Sequence, residues 1–316
     1  MYTSDYNFSV LFLIFNRPDT TKQVFEAIRK AKPGRLFIAA DGPRPDKPGE
    51  ADACEQTRAI VKQIDWECDV HTLFREKNLG CRVAVSSALS WFFEHVEEGI
   101  ILEDDCLPDE SFFPYCRHLL EKYRHDGRVM HISGDNFQFG RQIGQASYYA
   151  SQFCHIWGWA GWRRVWQLYH PDMPDYPAFV RDGGLERMFR YPDMRRYYSV
   201  IFDRVFRGKL NTWDHQLSYA ILKNNGVCII PNVNLVENIG FTSGTHISFN
   251  QFSFFKKLAV QRLYTKLMSN KRQTMTFPLV HPDVLVPSYE ADHRYFREIV
   301  FFFIMRVYII FLKHMR

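Results

Sequence analysis

The feature that most constrains the fold is a series of short, continuous apolar runs separated by amphipathic stretches. The apolar runs cover residues 8–15, 35–40, 70–74 and 99–102. The stretches between them have the spacing of amphipathic helices, over residues 20–30, 51–64 and 82–96. Short continuous apolar runs are typical of strands buried on both faces, and such strands alternating with helices form parallel sheets. The sequence therefore predicts an α/β domain with a mostly parallel sheet and helices on both faces.

Polar residues directly follow three of these predicted strands. Asn16-Arg17 follows the first strand, Asp41-Gly42 the second, and Glu103-Asp104-Asp105 the fourth. In open α/β sheets, ligands bind beyond the carboxyl ends of the strands. We therefore expect these three polar clusters to converge on one crevice.

The three successive acids predict a metal site. Carboxylates crowded at the end of a buried strand repel one another, and burying them without a cation is costly. A hard divalent ion such as Mn²⁺ or Mg²⁺ prefers oxygen ligands and could bridge the phosphates of a ligand. The alternative is an acidic loop before the helix that follows Asp109, where negative charge is favourable. The spacing favours the metal site.

Four further residues are candidates, each with a plain structural alternative. Arg17 could bind a diphosphate with its planar guanidinium, or cap the first helix. Asp41 could accept a hydrogen bond from a ribose hydroxyl or a uracil N–H, or simply stabilise a turn. Asp214, beside an indole, could act as a general base, or as the N-cap of a helix over residues 216–223. His246 could complete an oxygen-rich metal site or contact phosphate, although a lone loop histidine usually has no such role.

Composition and motifs exclude several classes of protein. Neither a G-x-G-x-x-G nor a G-x-x-x-x-G-K-[ST] motif occurs, which argues against dinucleotide oxidoreductases and P-loop NTPases. The formal net charge of +5 is modest, and we expect no nucleic-acid partner. Seven cysteines without a C-x-x-C pair indicate reduced thiols in a cytoplasmic protein. The aromatic content of 16% suits stacking on sugars, but equally suits core packing.

The second half of the sequence is less regular. We expect strands over residues 129–133, 147–151 and 227–231, a helical and charged stretch over 185–207, and a Trp- and Gly-rich segment over 155–166. Residues 247–282 contain no acid, and the apolar stretch 299–312 is short for a membrane span. This stretch and the basic segment 254–268 indicate peripheral binding to an anionic membrane surface. The alternatives are a solvated surface helix for the basic segment, and a C-terminal helix docked on the body or on another subunit.

Several motifs, in this order, resemble GT-A glycosyltransferases, with the N-acetylglucosaminyltransferase I type and its bacterial relatives most similar. The most specific motif is IILEDDCLPDESFFPY over residues 100–115, an EDD form of the DXD motif. The other matching segments are VLFLIFNR at 10–17, ADG at 40–42, Arg82, ISGDN at 132–136, WGWAGWRRVW at 157–166, Trp213-Asp214 and the loop 240–246. The resemblance covers residues 8 to 250 discontinuously.

The resemblance implies roles for individual residues. Asp105 would coordinate the metal, with His246 as a further ligand. The sugar donor would contact Arg17, Asp41, Arg82, Glu103 and Asp104. Asp214 would be the catalytic base of an inverting transfer, and the acceptor side would carry Trp157, Trp159 and Trp162. The chain departs from the family pattern at His215-Gln216, after the Trp-Asp pair, and in the longer stretch 171–210.

We therefore expect a GT-A domain over residues 1–250 and a basic, aromatic extension over 251–316. The expected reaction moves a sugar from a nucleotide diphosphate, UDP-linked by resemblance, to a glycan or lipid-linked acceptor in cell-surface glycan or polysaccharide synthesis. One alternative is a sugar nucleotidyltransferase, although such enzymes normally carry a Gly-rich loop with Arg and Lys after the first strand. Another is a non-catalytic glycan-binding or membrane-associated protein.

Overall fold

The computed structural model describes residues 8–240, 265, 267 and 269–300. Its strands are β1 (Ser9–Ile14), β2 (Arg35–Ala40), β3 (Asp69–Phe74), β4 (Glu98–Glu103), β5 (Cys106–Pro108), β6 (Val129–Ser133), β7 (Tyr148–Ser151), β8 (Trp159–Trp162), β9 (Val227–Pro231) and β10 (Val236–Asn238). Its helices are α1 (Pro18–Ala31), α2 (Glu50–Ile60), α3 (Gly80–His95), α4 (Phe112–Tyr123), α5 (Arg163–Trp166), α6 (Tyr176–Arg181), α7 (Gly184–Met188), α8 (Pro192–Phe206), α9 (Asp214–Lys223) and α10 (Tyr289–Tyr295).

Eight of these strands form one sheet in the order β3-β2-β1-β4-β8-β6-β9-β7. The neighbouring pairs β1–β2, β2–β3, β1–β4 and β6–β9 are parallel. Strand β8 runs antiparallel to both β4 and β6, and β7 runs antiparallel to β9. The predicted fold class is confirmed: the sheet is mostly parallel and flanked by helices.

The strand order places a crevice between β1 and β4. From β1 the chain steps outward through α1, β2, α2 and β3, and then returns through α3 to β4 on the other side of β1. Right-handed crossovers put α1 and α2 on one face of the sheet and α3 on the opposite face. The direction of winding reverses between β1 and β4, which is where ligands bind in sheets of this kind.

Local sequence explains how the first strand gives way to the first helix. All six residues of β1 are buried, and the apolar run ends just before Asn16-Arg17-Pro18. Pro18 is the first residue of α1, where its fixed φ favours the helix and its missing N–H costs nothing. Arg17 is consequently held at the strand end, where its side chain can reach the crevice.

A second, two-stranded sheet lies beside the crevice. Strand β10 pairs antiparallel with β5, which follows the acidic triplet, so that Asn238 is opposite Cys106. The backbone N–H of Ile239 then donates to the carbonyl oxygen of Asp105 at 2.8 Å. This pairing brings Gly240 against the acidic corner.

The described C-terminal residues pack on the same body. Met275 and Leu279 are buried in the core that surrounds the large sheet. Phe296 is buried in a second aromatic core formed mainly by α6–α9, and Ile299 in a small cluster with Phe137. Residues 269–300 therefore share cores with the preceding part of the chain. The division at residue 250 remains an expectation.

Three details of the sequence interpretation differ from the structure. The stretch 185–207 is not one helix: Tyr191, before Pro192, is extended (φ −97°, ψ 129°), because proline disfavours a helical residue before it. Asp214 is the first residue of α9 rather than its N-cap, which is Trp213. The Trp- and Gly-rich segment contains β8, a strand in the middle of the sheet.

Several expectations fall outside the described residues. His246 is one of them, and of the basic segment 254–268 only residues 265 and 267 are described. Of the apolar stretch 299–312, the structure describes only 299 and 300. Within the described part of the chain, no helix combines the length and apolar character needed to cross a membrane.

Candidate functional site

A cavity of about 450 Å³ lies beyond the carboxyl ends of β1, β2 and β4. Its apolar floor includes Leu13, Ala39 and Val85. Its polar lining comes from Arg17, Asp41, Arg44, Arg75, Asn78, Glu103, Asp104 and Asn211. The three polar clusters that follow the predicted strands therefore do meet at one cavity.

The acidic triplet is positioned by the carboxyl end of β4. Glu103 is the last residue of β4, and Asp104 is buried, with 6% of its surface exposed. One oxygen of Asp104 (Oδ2) accepts a hydrogen bond from the backbone N–H of Phe15 at 3.1 Å. This bond ties the acidic corner to the end of β1, across the switch point of the sheet.

The electrostatics of this corner favour a positive ligand. Burial raises the pKa of Glu103 to about 8, and the negative charges of Asp105, Asp104 and Asp214 add to the effect. Burial likewise raises the pKa of Asp104 to about 7, although Arg17 opposes this shift. Carboxylates with such raised pKa values gain from an added cation, because it removes the repulsion among them.

Arg17 supplies one positive charge to the corner. Its Nη1 donates a hydrogen bond to Oδ2 of Asp105 and lies 3.5 Å from Oδ1 of Asp104. Burial alone would lower the pKa of Arg17, but the charges of Asp104 and Asp105 outweigh it and the pKa is raised. Arg17 also holds the N-cap position of α1, although its side chain makes no capping hydrogen bond there.

Asp41 shapes the wall of the cavity. Its Oδ1 accepts from the backbone N–H of Leu79 at 2.9 Å, and its Oδ2 from that of Gly80 at 3.1 Å. Gly80 begins α3 with φ +77°, a value that favours glycine. Asp41 therefore stabilises the N-terminus of α3 from a neighbouring strand end while it lines the cavity.

Arg82 points to another part of the crevice wall. Its Nη2 donates to the carbonyl oxygen of Pro171 at 2.8 Å and to Oδ1 of Asp172 at 2.6 Å. Its backbone N–H contacts Oδ1 of Asn211 at 3.3 Å. In this arrangement Arg82 joins α3 to the loop before α6, and its guanidinium is bound to that loop.

Asp214 lies within electrostatic reach of the acidic corner. Its charge contributes to the raised pKa values of Glu103 and of Cys81, which lines the cavity. Its Oδ1 accepts a hydrogen bond from the hydroxyl of Thr212, and its Oδ2 is 4.0 Å from Nδ1 of His215. The side chain of Asp214 is 28% exposed, so an incoming hydroxyl could reach it.

The three tryptophans expected on the acceptor side occupy different environments. Trp159 and Trp162 belong to β8 and are only 3% exposed, which is at odds with a role in stacking on a sugar acceptor. Trp159 packs between His131 and Trp213, while Nε1 of Trp162 donates to Glu98 at 3.1 Å. Trp157 is half-buried, with its ring edge-on to Phe137 at 5.1 Å.

Sequence reasoning missed several residues that line the cavity, including Arg44, Arg75 and Asn78. Arg75 and Asn78 follow the end of β3, so the strand-end rule used for Arg17 and Asp41 would have found them. Arg44 is held by Glu50, whose pKa its guanidinium lowers to about 2. Nothing in the sequence pattern indicated that pair.

The side chains at the acidic corner are of the kind that binds a divalent cation. They do not, however, form a complete set of ligands. Carboxylate oxygens with raised pKa values suit Mn²⁺ or Mg²⁺. Within the described residues, however, no three His, Cys, Asp or Glu side chains converge on a common point. Such a site would hold the ion through Asp105, with oxygens of a bound ligand completing the coordination, as Mg²⁺ commonly does with phosphates.

Comparisons with known proteins show only a distant similarity of fold. No protein-family model matches the sequence, and no curated protein matches it. Similar solved structures include HddC from Yersinia pseudotuberculosis, with 10% identity and a TM-score of 0.31 over 51% of this chain and 80% of that chain. S. aureus TarS 1–349 has 12% identity and a TM-score of 0.36 over 51% of this chain and 48% of that chain. A UDP-glucose pyrophosphorylase complexed with UDP-glucose has 11% identity and a TM-score of 0.34 over 52% and 79%. Values this low carry no argument about function.

Proposed function

We propose that this protein is a glycosyltransferase that moves a sugar from a nucleotide diphosphate, UDP-linked, to an acceptor hydroxyl, with Mn²⁺ or Mg²⁺ as cofactor. The observation that carries the proposal is the cavity at the switch point of the sheet, lined at one corner by Glu103, Asp104 and Arg17, with Asp105 bound to Arg17. A fourth acid, Asp214, is close enough to raise the pKa of Glu103. The cavity is large enough for a nucleotide, and Asp214 lies within electrostatic reach of its acidic side.

The cavity offers suitable partners for each part of the sugar donor. Three arginines, Arg17, Arg44 and Arg75, line it and can neutralise a diphosphate. Asn78 and Asn211 supply amide groups for a base or a ribose. Glu103 and Asp104 lie where they could accept hydrogen bonds from sugar hydroxyls. Arg82 would act on the sugar donor only by releasing its contacts with residues 171 and 172.

Asp214 is the proposed base. In an inverting transfer, the acceptor oxygen forms a bond to the anomeric carbon as the bond from that carbon to the phosphate oxygen breaks. The proton of the acceptor hydroxyl passes to the carboxylate of Asp214, and the nucleoside diphosphate leaves. The cation held by Asp105, with His246 as a further proposed ligand, would supply Lewis-acid stabilisation of the diphosphate.

A panel of nucleotide sugars tests the proposal. With Mn²⁺ present, one nucleotide sugar should be hydrolysed slowly, releasing a nucleoside diphosphate, and faster when a suitable glycan or lipid-linked acceptor is added. Release of pyrophosphate from a nucleoside triphosphate and a sugar phosphate would instead indicate a sugar nucleotidyltransferase. Absence of metal-dependent nucleotide binding in calorimetry would favour a non-catalytic glycan-binding or membrane-associated protein.

A further inference from the structure

We infer that Arg17 occupies the position of the divalent cation while no sugar donor is bound, and thereby makes cation binding depend on the donor's diphosphate. The inference rests on the proposed function and concerns the regulation of the same site. Its starting point is the contact of Nη1 of Arg17 with Oδ2 of Asp105, 3.5 Å from Oδ1 of Asp104. One guanidinium is therefore bound to the carboxylate of Asp105, the proposed metal ligand, and lies close to that of Asp104.

The other contacts of Asp105 leave little room for a cation beside Arg17. Oδ1 of Asp105 accepts from the thiol of Cys106 at 3.5 Å. Gly240 packs so closely that a Cβ at this position would collide with Oδ2 of Asp105 and come within 3.0 Å of Nη1 of Arg17. Asp105 is thus already engaged by Arg17, and among the described residues no three acidic, histidine or cysteine side chains converge beside it.

A cation and the Arg17 guanidinium cannot share this carboxylate without strong repulsion. Both charges would lie within a few ångströms of each other in a partly buried site, where screening by water is weak. The cation can bind to Asp105 only when the guanidinium moves away. A nucleotide-free protein should therefore bind Mn²⁺ weakly, although three carboxylates are gathered there.

A diphosphate gives the displaced guanidinium a new partner. Arg17 is 35% exposed and lines the cavity together with Arg44 and Arg75, so its side chain can turn toward a ligand there. Guanidinium and phosphate form strong, frequently bidentate hydrogen bonds. When Arg17 binds the diphosphate, Asp105 becomes free to bind the cation. The nucleotide and the cation then favour each other's binding by the same factor.

The experiment measures Mn²⁺ binding by the electron paramagnetic resonance signal of the free ion, with and without UDP, and without any turnover. For the wild-type chain, saturating UDP should tighten Mn²⁺ binding by about tenfold or more, within the usual range of such coupling. Arg17→Gln should bind Mn²⁺ about tenfold more tightly than wild type when no nucleotide is present. The effect of UDP should shrink in this variant without vanishing, because phosphate oxygens still ligate the ion.

Two further variants serve as controls. Arg17→Lys keeps the charge but not the forked geometry, and should give an intermediate Mn²⁺ affinity. Arg128→Gln removes one exposed positive charge, paired with Asp126 and not part of the cavity lining, and should bind nucleotide-free Mn²⁺ as the wild type does. Circular dichroism establishes that each variant is folded.

Equal nucleotide-free Mn²⁺ affinity in wild type and Arg17→Gln would overturn the inference. So would a wild-type chain that binds UDP and yet binds Mn²⁺ as tightly without it as with it. Failure of the proposed function gives a different result: the wild-type chain then binds neither UDP nor any other nucleotide of the panel. Even in that case, the nucleotide-free comparison of wild type with Arg17→Gln decides whether Arg17 excludes the cation.

Discussion

The carboxylate of Asp41, at the end of β2, accepts a hydrogen bond from the backbone N–H of Gly80, the first residue of α3. A second bond joins it to the N–H of Leu79. The first turn of a helix has N–H groups without partners inside the helix, and a negative charge there is favourable. An acid that the sequence suggested for nucleotide binding thus also fixes a wall of the cavity.

Asp41→Ala should lose this capping and destabilise the protein by about 1–2 kcal/mol, the upper range for a lost helix cap. Asp41→Asn keeps an oxygen acceptor and should lose less. Urea unfolding measures the free energy, and hydrogen exchange at the amides of Leu79 and Gly80 should accelerate in Asp41→Ala. Unchanged exchange at these two amides would show that the cap does not hold the wall.

The raised pKa values at the acidic corner predict how stability depends on pH. Glu103 and Asp104 have pKa values of about 8 and about 7 in the fold, above their ordinary values of 4.5 and 3.8. The folded chain therefore holds protons that the unfolded chain has lost, and stability falls as pH rises from about 4 through 8. Between pH 6 and 8.5 the melting temperature of the metal-free protein should fall.

Glu103→Gln should reduce that fall by about 2–4 °C, since it removes one of the charges that the fold disfavours. Glu110→Gln, at an exposed carboxylate paired with Lys30, is the matched control and should leave the pH profile unchanged. Thermal melts at several pH values are sufficient. Identical profiles for wild type and Glu103→Gln would contradict the prediction.

Asp214→Asn tests the proposed base. Asparagine keeps an oxygen that can accept from Thr212, so the start of α9 should be preserved. Transfer should fall by about 10²–10⁴-fold, the usual contribution of a general base, while the affinity for the sugar donor stays near the wild-type value. Turnover and calorimetry measure the two effects separately. Asp203→Asn, on α8 and paired with Arg207, is the control that should retain activity; full activity in Asp214→Asn would exclude the assignment.

Substitutions of two tryptophans should distinguish a contribution to stability from a contribution to acceptor binding. Trp159→Ala removes a buried ring from the central sheet and should cost about 3–5 kcal/mol in the free energy of unfolding. Trp157→Ala should cost less, because that ring is half-buried. We expect Trp157→Ala to raise KM for the acceptor without changing KM for the sugar donor. If KM for the acceptor is unaffected, Trp157 does not belong to the acceptor side.

Membrane binding calls for substitutions rather than a truncation. Residues 269–300 contribute to the cores of the body, so deleting residues 251–316 would damage the fold. Replacing Lys256, Lys257, Arg262 and Lys266 by Gln removes four positive charges and keeps the chain length. Near an anionic surface each such charge contributes about 1 kcal/mol, so binding to anionic vesicles should nearly disappear. Vesicle sedimentation measures the effect, and equal sedimentation of variant and wild type would refute surface binding through this segment.

The sequence predicted most of the half of the sheet formed by β1–β4, because that half obeys simple rules. Strand β2 matches the predicted residues 35–40, since a continuous apolar run has few alternatives to a buried strand. Arg17, Asp41, Glu103 and Asp104 line one cavity because all of them lie at or just beyond the carboxyl ends of parallel strands. Arg75, directly after the end of β3, lines the cavity for the same reason.

Much of the structure beyond β4 could not be predicted from the sequence, for physical reasons. Strand β8 has four residues, Trp-Ala-Gly-Trp, all buried, so it shows neither the alternation of a half-exposed strand nor a long apolar run. The contacts of Arg82 with Pro171 and Asp172 join residues about ninety positions apart, which no local pattern reveals. The inferred competition between Arg17 and a cation depends on the position of the Arg17 side chain. The sequence shows which residues precede and follow Arg17, but not that its guanidinium contacts Asp105.

The place of β8 between β4 and β6 has a mechanical consequence. Its backbone is hydrogen-bonded on both sides, to the strand that carries the acidic triplet and to the strand that leads into the other half of the body. A molecule joined in this way cannot open like two lobes about a hinge, since that motion would tear the middle of its sheet. Access of a ligand to the crevice must therefore depend on the connections around its rim, because the sheet beneath it is continuous.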